Sequence, residues 1–257
     1  MDYLQSDEYI EYLKKNCGVR GYDHDEKSPN FAGPDIDIFL SYMKLMKIKK
    51  DDYVLEIGCG LGRLLKETFD VFGCKLYGID RNPKLIELAK IRVSSICEEL
   101  KTSSAEEINF PENSFDRIFC WGVFELCKQE SAFLEMNRCL KIGGMLLLTG
   151  KSHTYHSDDI EAYSAEVAVT EKKINHTFTN YNEMLEFAVK IGMKPVYERF
   201  FERRGFFMKN KFSSGQPKEF YEWLVILEKI SNSDINTHDK PSFSIQHSLT
   251  YNKKNDR

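Results

Sequence analysis

From Tyr53 onward, short apolar runs alternate with amphipathic stretches: residues 53–58, then 63–73; 75–80, then 83–100; then 116–121, a helix around Ser131–Leu140, and 145–150. This alternation predicts βαβ units around a parallel sheet. In the second amphipathic stretch Leu85, Leu88, Ala89, Val93 and Ile96 follow helical spacing, and Asn82-Pro83 supplies an N-cap followed by a first-turn proline. The segment Lys141–Gly144 reads as a turn feeding the next buried strand. Upstream, residues 1–50 have a helical, polar-faced pattern: one helix capped by Ser6 and ending near Gly18, a loop over Val19–Gly33, and a second helix opened by Pro34 and running toward Lys47. After Gly150 comes a polar stretch of about 28 residues, too long for a simple connector and predicted to be an inserted, substrate-facing lid at 151–178. The α/β rhythm returns with a helix near Tyr181–Ile191, a strand near Lys194–Phe201 and a final strand within 222–230; the charged segment from Ser231 reads as weakly ordered. The expected organisation is therefore a helical cap (1–50), an α/β domain with an insertion (51–230) and a polar tail (231–257).

Composition narrows the class. The chain of 257 residues is 42% hydrophobic and 13% aromatic. It contains no apolar run approaching the roughly 20 residues that cross a bilayer, so a transmembrane or largely disordered protein is not expected. Thirty-six basic and forty acidic side chains leave a charge of −4, which argues against a general nucleic-acid binder and against RNA as the partner. Seven cysteines form no CxxC pair and no Cys/His zinc spacing, and the first fifteen residues lack a signal peptide's apolar stretch. A reduced, cytoplasmic protein with no metal and no membrane partner is the expectation; its cysteines would serve as small buried hydrophobes. Asn175-His176-Thr177 matches a glycosylation sequon by pattern only.

The most informative segment is Val54-Leu55-Glu56-Ile57-Gly58-Cys59-Gly60-Leu61-Gly62, an apolar strand running into a loop with glycine at every second position. Glycine there accepts positive φ and lets backbone approach a ligand. A dinucleotide fingerprint would need glycine at position 63, which is Arg63, and no GxxxxGK[ST] occurs anywhere. What matches is E-x-G-x-G-x-G, which resembles motif I of class I S-adenosylmethionine-dependent methyltransferases. Gly78-Ile79-Asp80, the run Ser104–Asp116 and Leu140-Lys141-Ile142-Gly143-Gly144 resemble the family's later motifs in the same order. The ubiquinone and menaquinone biosynthesis enzymes are the branch it is most similar to, over residues 53–150 and more loosely 177–229.

That resemblance implies a Rossmann-like, seven-stranded α/β methyltransferase sandwich, mostly parallel with an antiparallel last strand. It also implies S-adenosylmethionine as cofactor, with S-adenosylhomocysteine as product. By carry-over, Glu56 and the backbone of Gly58, Cys59, Gly60 and Gly62 would hold the methionine end. Asp80 would accept the ribose hydroxyls, Arg81 would lie beside the adenine, and the Ala105 amide would face the ring nitrogen. Cys120 and Trp121 would offer backbone carbonyls to the methionine ammonium. Ser104 stands where the family usually has Asp or Asn; its shorter hydroxyl would hold the adenine amino group less firmly.

For the acceptor, His153, Tyr155 and His156 stand just after the fifth predicted strand, where a general base would be placed. The alternative is a polar lid whose histidines face solvent. An HxxH metal site would need a helix that the pattern does not indicate. The segment 199–211 sets five cations among four phenylalanines. There Arg199, Arg203 and Arg204, with Arg20, are candidates to bind a phosphate or carboxylate; a charged strand edge is the plainer reading. The expected activity is methyl transfer to a small, anionic metabolite such as a sugar, a phosphate-bearing compound or a capsule or natural-product precursor. The alternatives are an RNA or protein methyltransferase and a catalytically silent partner subunit. No feature sets the oligomeric state.

Overall fold

A computed structural model describes residues 2–17, 35–232 and 242–246. Its centre is a seven-stranded sheet built from β1 (Tyr53–Ile57), β2 (Lys75–Asp80), β3 (Cys97–Thr102), β4 (Phe115–Cys120), β5 (Leu140–Lys151), β7 (Met193–Phe201) and β8 (Glu222–Lys229), in the order β3-β2-β1-β4-β5-β8-β7. β8 runs antiparallel to both neighbours, β5 and β7, and the β1, β2, β3, β4 and β5 pairings are parallel. The expected class, a mostly parallel methyltransferase sandwich with its last strand antiparallel, is what the structure shows. Strand order reverses between β1 and β4, and the loops at the carboxyl ends of these strands diverge there to leave a crevice.

Helices cover both faces. α3 (Arg63–Phe72), α4 (Pro83–Val93) and α2 (Asp35–Leu45) pack on the face carrying Val54, Leu76, Phe119, Leu147 and Ile226; α5 (Gln129–Cys139) and α7 (Tyr181–Lys190) pack on the face carrying Leu55, Ile118, Leu146 and Val225. α4 follows its pattern: Leu85, Ala89 and Val93 are buried, and the Asn82 side chain accepts from the Lys84 and Leu85 amides. It stops at Val93, and the following Cys97–Thr102, which the pattern merges with the helix, forms β3. Only Leu100 of that edge strand is buried, so its charged residues carry no strand-like alternation. The expected turn at Lys141–Gly144 is instead part of β5: its register with β4 shifts between Phe115 and Arg117, and Gly143 takes a φ of +78°.

Four further elements lie outside the α/β rhythm. α1 (Asp7–Asn16) begins at Ser6, whose hydroxyl accepts from the Tyr9 amide at 3.1 Å as the cap predicted. The segment 2–7 is tied to the β2–α4 loop by an Arg81–Asp2 ion pair, an Asn82 side-chain bond to the Leu4 carbonyl (3.0 Å) and a Lys84–Asp7 pair (2.7 Å). Within the polar stretch expected to be a lid, α6 (Ile160–Glu171) forms, capped by Asp159, and β6 (Thr177–Thr179) pairs antiparallel with β9 (Ser244–Gln246). The segment read as a weakly ordered tail thus contributes to the core: Phe243 is buried among Phe124, Phe133 and Phe187, and Glu130 accepts from the Phe243 and Ser244 amides. Truncating Phe243 to Ala is expected to lower stability by about 3–5 kcal/mol in chemical denaturation. A change under 1 kcal/mol would show that this strand is an adornment rather than part of the core. Among the described residues no helix is long and apolar enough to cross a membrane.

Candidate functional site

The crevice at the ends of β1, β2 and β4 is floored by the glycine loop. The Gly58 and Cys59 amides donate to the Ile79 carbonyl (2.8 and 2.9 Å), which lays the loop across the end of β2. Gly58 has φ +73°, and a Cβ there would lie 2.6 Å from Val123; Gly62, at φ +76°, opens α3, and a Cβ there would lie 2.8 Å from Val93. Both positions require glycine on two counts, conformation and close packing. Gly62 itself does not line the crevice; it fixes the direction of α3.

Two carboxylates face this loop. Asp80 accepts from the Gly60 amide (2.9 Å, Oδ2) and the Asn82 amide (2.8 Å, Oδ1). That leaves roughly two of the four lone-pair positions of a carboxylate for a ligand. Burial raises its pKa despite those donors and Arg81. Glu56, at the end of β1, is buried, and its Oε2 has no hydrogen-bond partner among the described residues. Burial holds its carboxyl well above the ordinary range, against the opposing charge of Arg63. A buried carboxyl with one unpaired oxygen, beside an Asp80 with acceptor capacity to spare, is what a ligand bearing an ammonium group and a diol would complete.

The crevice has a cavity volume of about 210 Å³, and Glu56, Gly58, Cys59, Gly60, Asp80, Arg81, Ala105 and Trp121 all line it. Cys120 is fully buried beneath, at the end of β4, and Ser104 forms an isolated bridge with Glu107 while its neighbour Ser103 lines the crevice. The pattern missed the roof: Leu4, Tyr9, Leu13 and Cys17, from and beside α1, close over the loop. The i, i+4 spacing of Tyr9 and Leu13, beside the buried Ile10, is the signal that marks this face. Val123, Leu126 and Cys127, after β4, complete the wall.

The acceptor candidates are scattered. His153 is exposed; Tyr155 packs against Tyr221 and Phe178 at 5.6 and 6.0 Å; His156 Nδ1 lies 3.0 Å from Glu219. None of the three lines the crevice. Arg203 pairs with Asp158 at 2.9 Å, and Arg199 lies over the rings of Tyr197 (4.0 Å) and Phe212 (4.4 Å). Arg20 lies outside the described residues. Arg204 alone joins a buried polar group beyond β5: its Nη1 lies 3.5 Å from the Tyr221 hydroxyl, which donates to Glu166. Glu166 also binds Lys151 (2.9 Å) and His176 (2.9 Å). Burial opposes the charged forms, but His176, Lys151 and Tyr221 outweigh it and hold the Glu166 carboxyl far below the ordinary range. Among the described residues no three His, Cys, Asp or Glu side chains gather to hold a metal ion.

Residues 55–148, the strands and loops that build this crevice, match the family described as methyltransferase domain. Over these residues the chain carries a methyltransferase domain. Phosphoethanolamine N-methyltransferase 2 of Caenorhabditis elegans is 27% identical to it over 203 residues, covering 76% of this chain and 44% of that protein. Sterol 24-C-methyltransferase ERG6 of Saccharomyces cerevisiae is 28% identical over 104 residues, covering 38% of this chain and 27% of the relative. The chain thus spans less than half the length of these curated relatives. The fold is shared with geranyl diphosphate C-methyltransferase of Streptomyces coelicolor, solved with Mg2+, geranyl diphosphate and S-adenosylhomocysteine: TM-score 0.57 at 12% identity over 78% of this chain and 80% of that one. These relatives do not single out the ubiquinone and menaquinone branch.

Proposed function

We propose that the chain transfers a methyl group from S-adenosylmethionine to a small molecule. The observation that carries this reading is the pairing of a buried Glu56 carboxyl, whose Oε2 has no partner among the described residues, with a half-satisfied Asp80 on either side of the glycine loop. When bound, the cofactor supplies an electrophilic sulfonium methyl. The chain's own residues then have three tasks: holding the nucleoside and amino-acid ends, excluding water and orienting the acceptor. Asp80 takes the ribose diol, and Glu56 and the backbone of the glycine loop take the methionine end. Arg81 and the Ala105 amide flank the adenine, with Ser103 beside them. Trp121 and the roof from α1 exclude water. The relatives' names point to phosphoethanolamine, sterols and geranyl diphosphate as their acceptors, which favours a small acceptor here. Of the arginines read as binding an anionic acceptor group, Arg199 and Arg203 are engaged elsewhere, and Arg204 belongs, with Lys151, to the buried polar group beyond β5.

The test is calorimetric titration of the intact protein with S-adenosylmethionine and S-adenosylhomocysteine, followed by measurement of S-adenosylhomocysteine release with candidate small acceptors. Micromolar binding with turnover insensitive to salt between about 50 and 200 mM is expected. No binding of either nucleoside would sink the reading, and activity that needs RNA and collapses with salt would move it to a macromolecular acceptor.

A further inference from the structure

Beyond the cofactor crevice, the carboxyl end of β5 carries a second group of buried charges that methyl-donor binding does not use. Lys151 ends β5 and pairs in register with Glu222, the first residue of β8. Two residues back on β5, the Thr149 hydroxyl accepts from the Gly122 amide at 2.8 Å, and Gly122 lines the cofactor crevice. Glu125 follows in the turn after β4, the strand on the other side of β5, and lies close enough for its charge to act on both Lys151 and Glu222. Each glutamate has a buried Oε2 with no hydrogen-bond partner among the described residues.

The charges around them leave a negative excess. Lys151 is bound to Glu166, while Arg204 faces Glu222 from beyond β7 and Tyr221 adjoins it. Tyr12 of α1 lies near Lys151 and Arg204, which places the group beneath the same helix that roofs the crevice. Burial pushes the Glu222 carboxyl up to about 7; Lys151 and Arg204 pull it down, and Glu125 and Glu166 push it up. An acceptor presenting an oxyanion at this point would be repelled by two carboxylates without a donor to offer either. An alcohol would offer one donor, but its proton is held too tightly for a carboxylate to take. An amine nitrogen satisfies both oxygens, and the positive charge that grows on it as the methyl arrives is the charge these carboxylates stabilise.

We propose that the acceptor is an amine whose nitrogen is held between Glu125 and Glu222, and that Glu222 receives the proton it sheds. The inference rests on the methyl-transfer reading above. The nitrogen lone pair forms the new N–C bond to the sulfonium methyl, the C–S bonding pair returns to sulfur to give neutral S-adenosylhomocysteine, and the N–H proton of the resulting alkylammonium passes to the Glu222 carboxylate. Lys151, Glu166 and Tyr221 fix the end of β5 against β8 and act as positioning residues.

The experiment uses the full chain and a panel of small primary and secondary amines, alcohols, thiols and carboxylates, read by S-adenosylhomocysteine release. Turnover is expected for amines only. The best amine is then titrated calorimetrically into the S-adenosylhomocysteine complex of the intact, Glu222→Gln and Glu125→Gln proteins. Both variants are expected to bind S-adenosylmethionine within about threefold of the intact protein, which certifies their folding, and to bind the amine at least about tenfold more weakly. Glu222→Gln is expected to lower kcat about 100-fold and to remove the limb of the pH profile that rises through pH 7, whereas Glu125→Gln keeps that limb. The inference is overturned if the best acceptor is a carboxylate, an alcohol or a thiol, or if Glu222→Gln keeps amine binding, kcat and the pH limb within threefold. An intact protein that binds S-adenosylmethionine but methylates no amine overturns this inference alone; one that binds no S-adenosylmethionine overturns the methyl-transfer reading beneath it.

Discussion

An Asp80→Ala protein is expected to bind S-adenosylmethionine at least about 100-fold more weakly than the intact protein while remaining folded. Hydrogen bonds to a charged acceptor contribute about 1.5–3 kcal/mol each. Losing two from a ribose diol therefore exceeds the 2.8 kcal/mol, or about two factors of ten, that the expectation requires. Asp80 also holds the Gly60 amide and the Asn82 amide in place, so its removal loosens the glycine loop from the start of α4 as well as emptying the ribose position. Asp80→Asn separates the two contributions. It keeps one carbonyl acceptor and the side chain's size, and should recover part of the affinity if loop anchoring matters but little if the charged diol contact dominates. Calorimetric titration gives both numbers, with circular dichroism as the check on folding. An Asp80→Ala protein whose Kd stays within threefold would remove Asp80 from the cofactor site altogether.

What the sequence made legible follows from how strongly each segment is constrained by itself. The glycine loop is readable because Gly58 and Gly62 are required twice over, by positive φ and by the Val123 and Val93 side chains against them. β1, β2 and β4 are readable because they are buried central strands with continuous apolar runs. β3 is an edge strand with one buried side chain, so its pattern carries no periodicity to detect, and α6 hides in a polar stretch because its packing is made through Glu166 as much as through apolar residues. β9 is three residues long and depends on β6 and Glu130, partners more than sixty and a hundred positions away. The acceptor side was the least legible. Arg199, Arg203 and Arg204 are neighbours in sequence yet face three different settings, an aromatic pair, Asp158 and the buried Tyr221 hydroxyl. Composition marks such a cluster as basic, but only the register of β7 against β8 decides which of its members reaches a site.

A stability effect as large as that at Phe243 is expected at Glu166, which is fully buried in α6 and is shared by Lys151, His176 and Tyr221. Glu166→Ala keeps a good helix former but leaves the buried Lys151 ammonium without its carboxylate, and breaking a buried pair from one side costs about 3–5 kcal/mol. For a chain of this length that is a fall in Tm of roughly 6–20 °C. Glu166→Gln should cost less, because the amide oxygen still accepts from Tyr221. The acid dependence gives an independent check. The folded carboxyl is held far below the ordinary value of 4.5, so in the unfolded chain Glu166 takes up a proton before the folded protein does. Its stabilising contribution is therefore complete above pH 4.5 and is lost progressively as the pH falls below it. The Tm gap between the intact and Glu166→Ala proteins should accordingly be constant from neutral pH down to about pH 5 and then narrow toward pH 3. A gap that stays constant through the acid range would mean that Glu166 stabilises by filling space, and that Lys151 draws its compensation from the Tyr221 ring beside it rather than from this carboxylate.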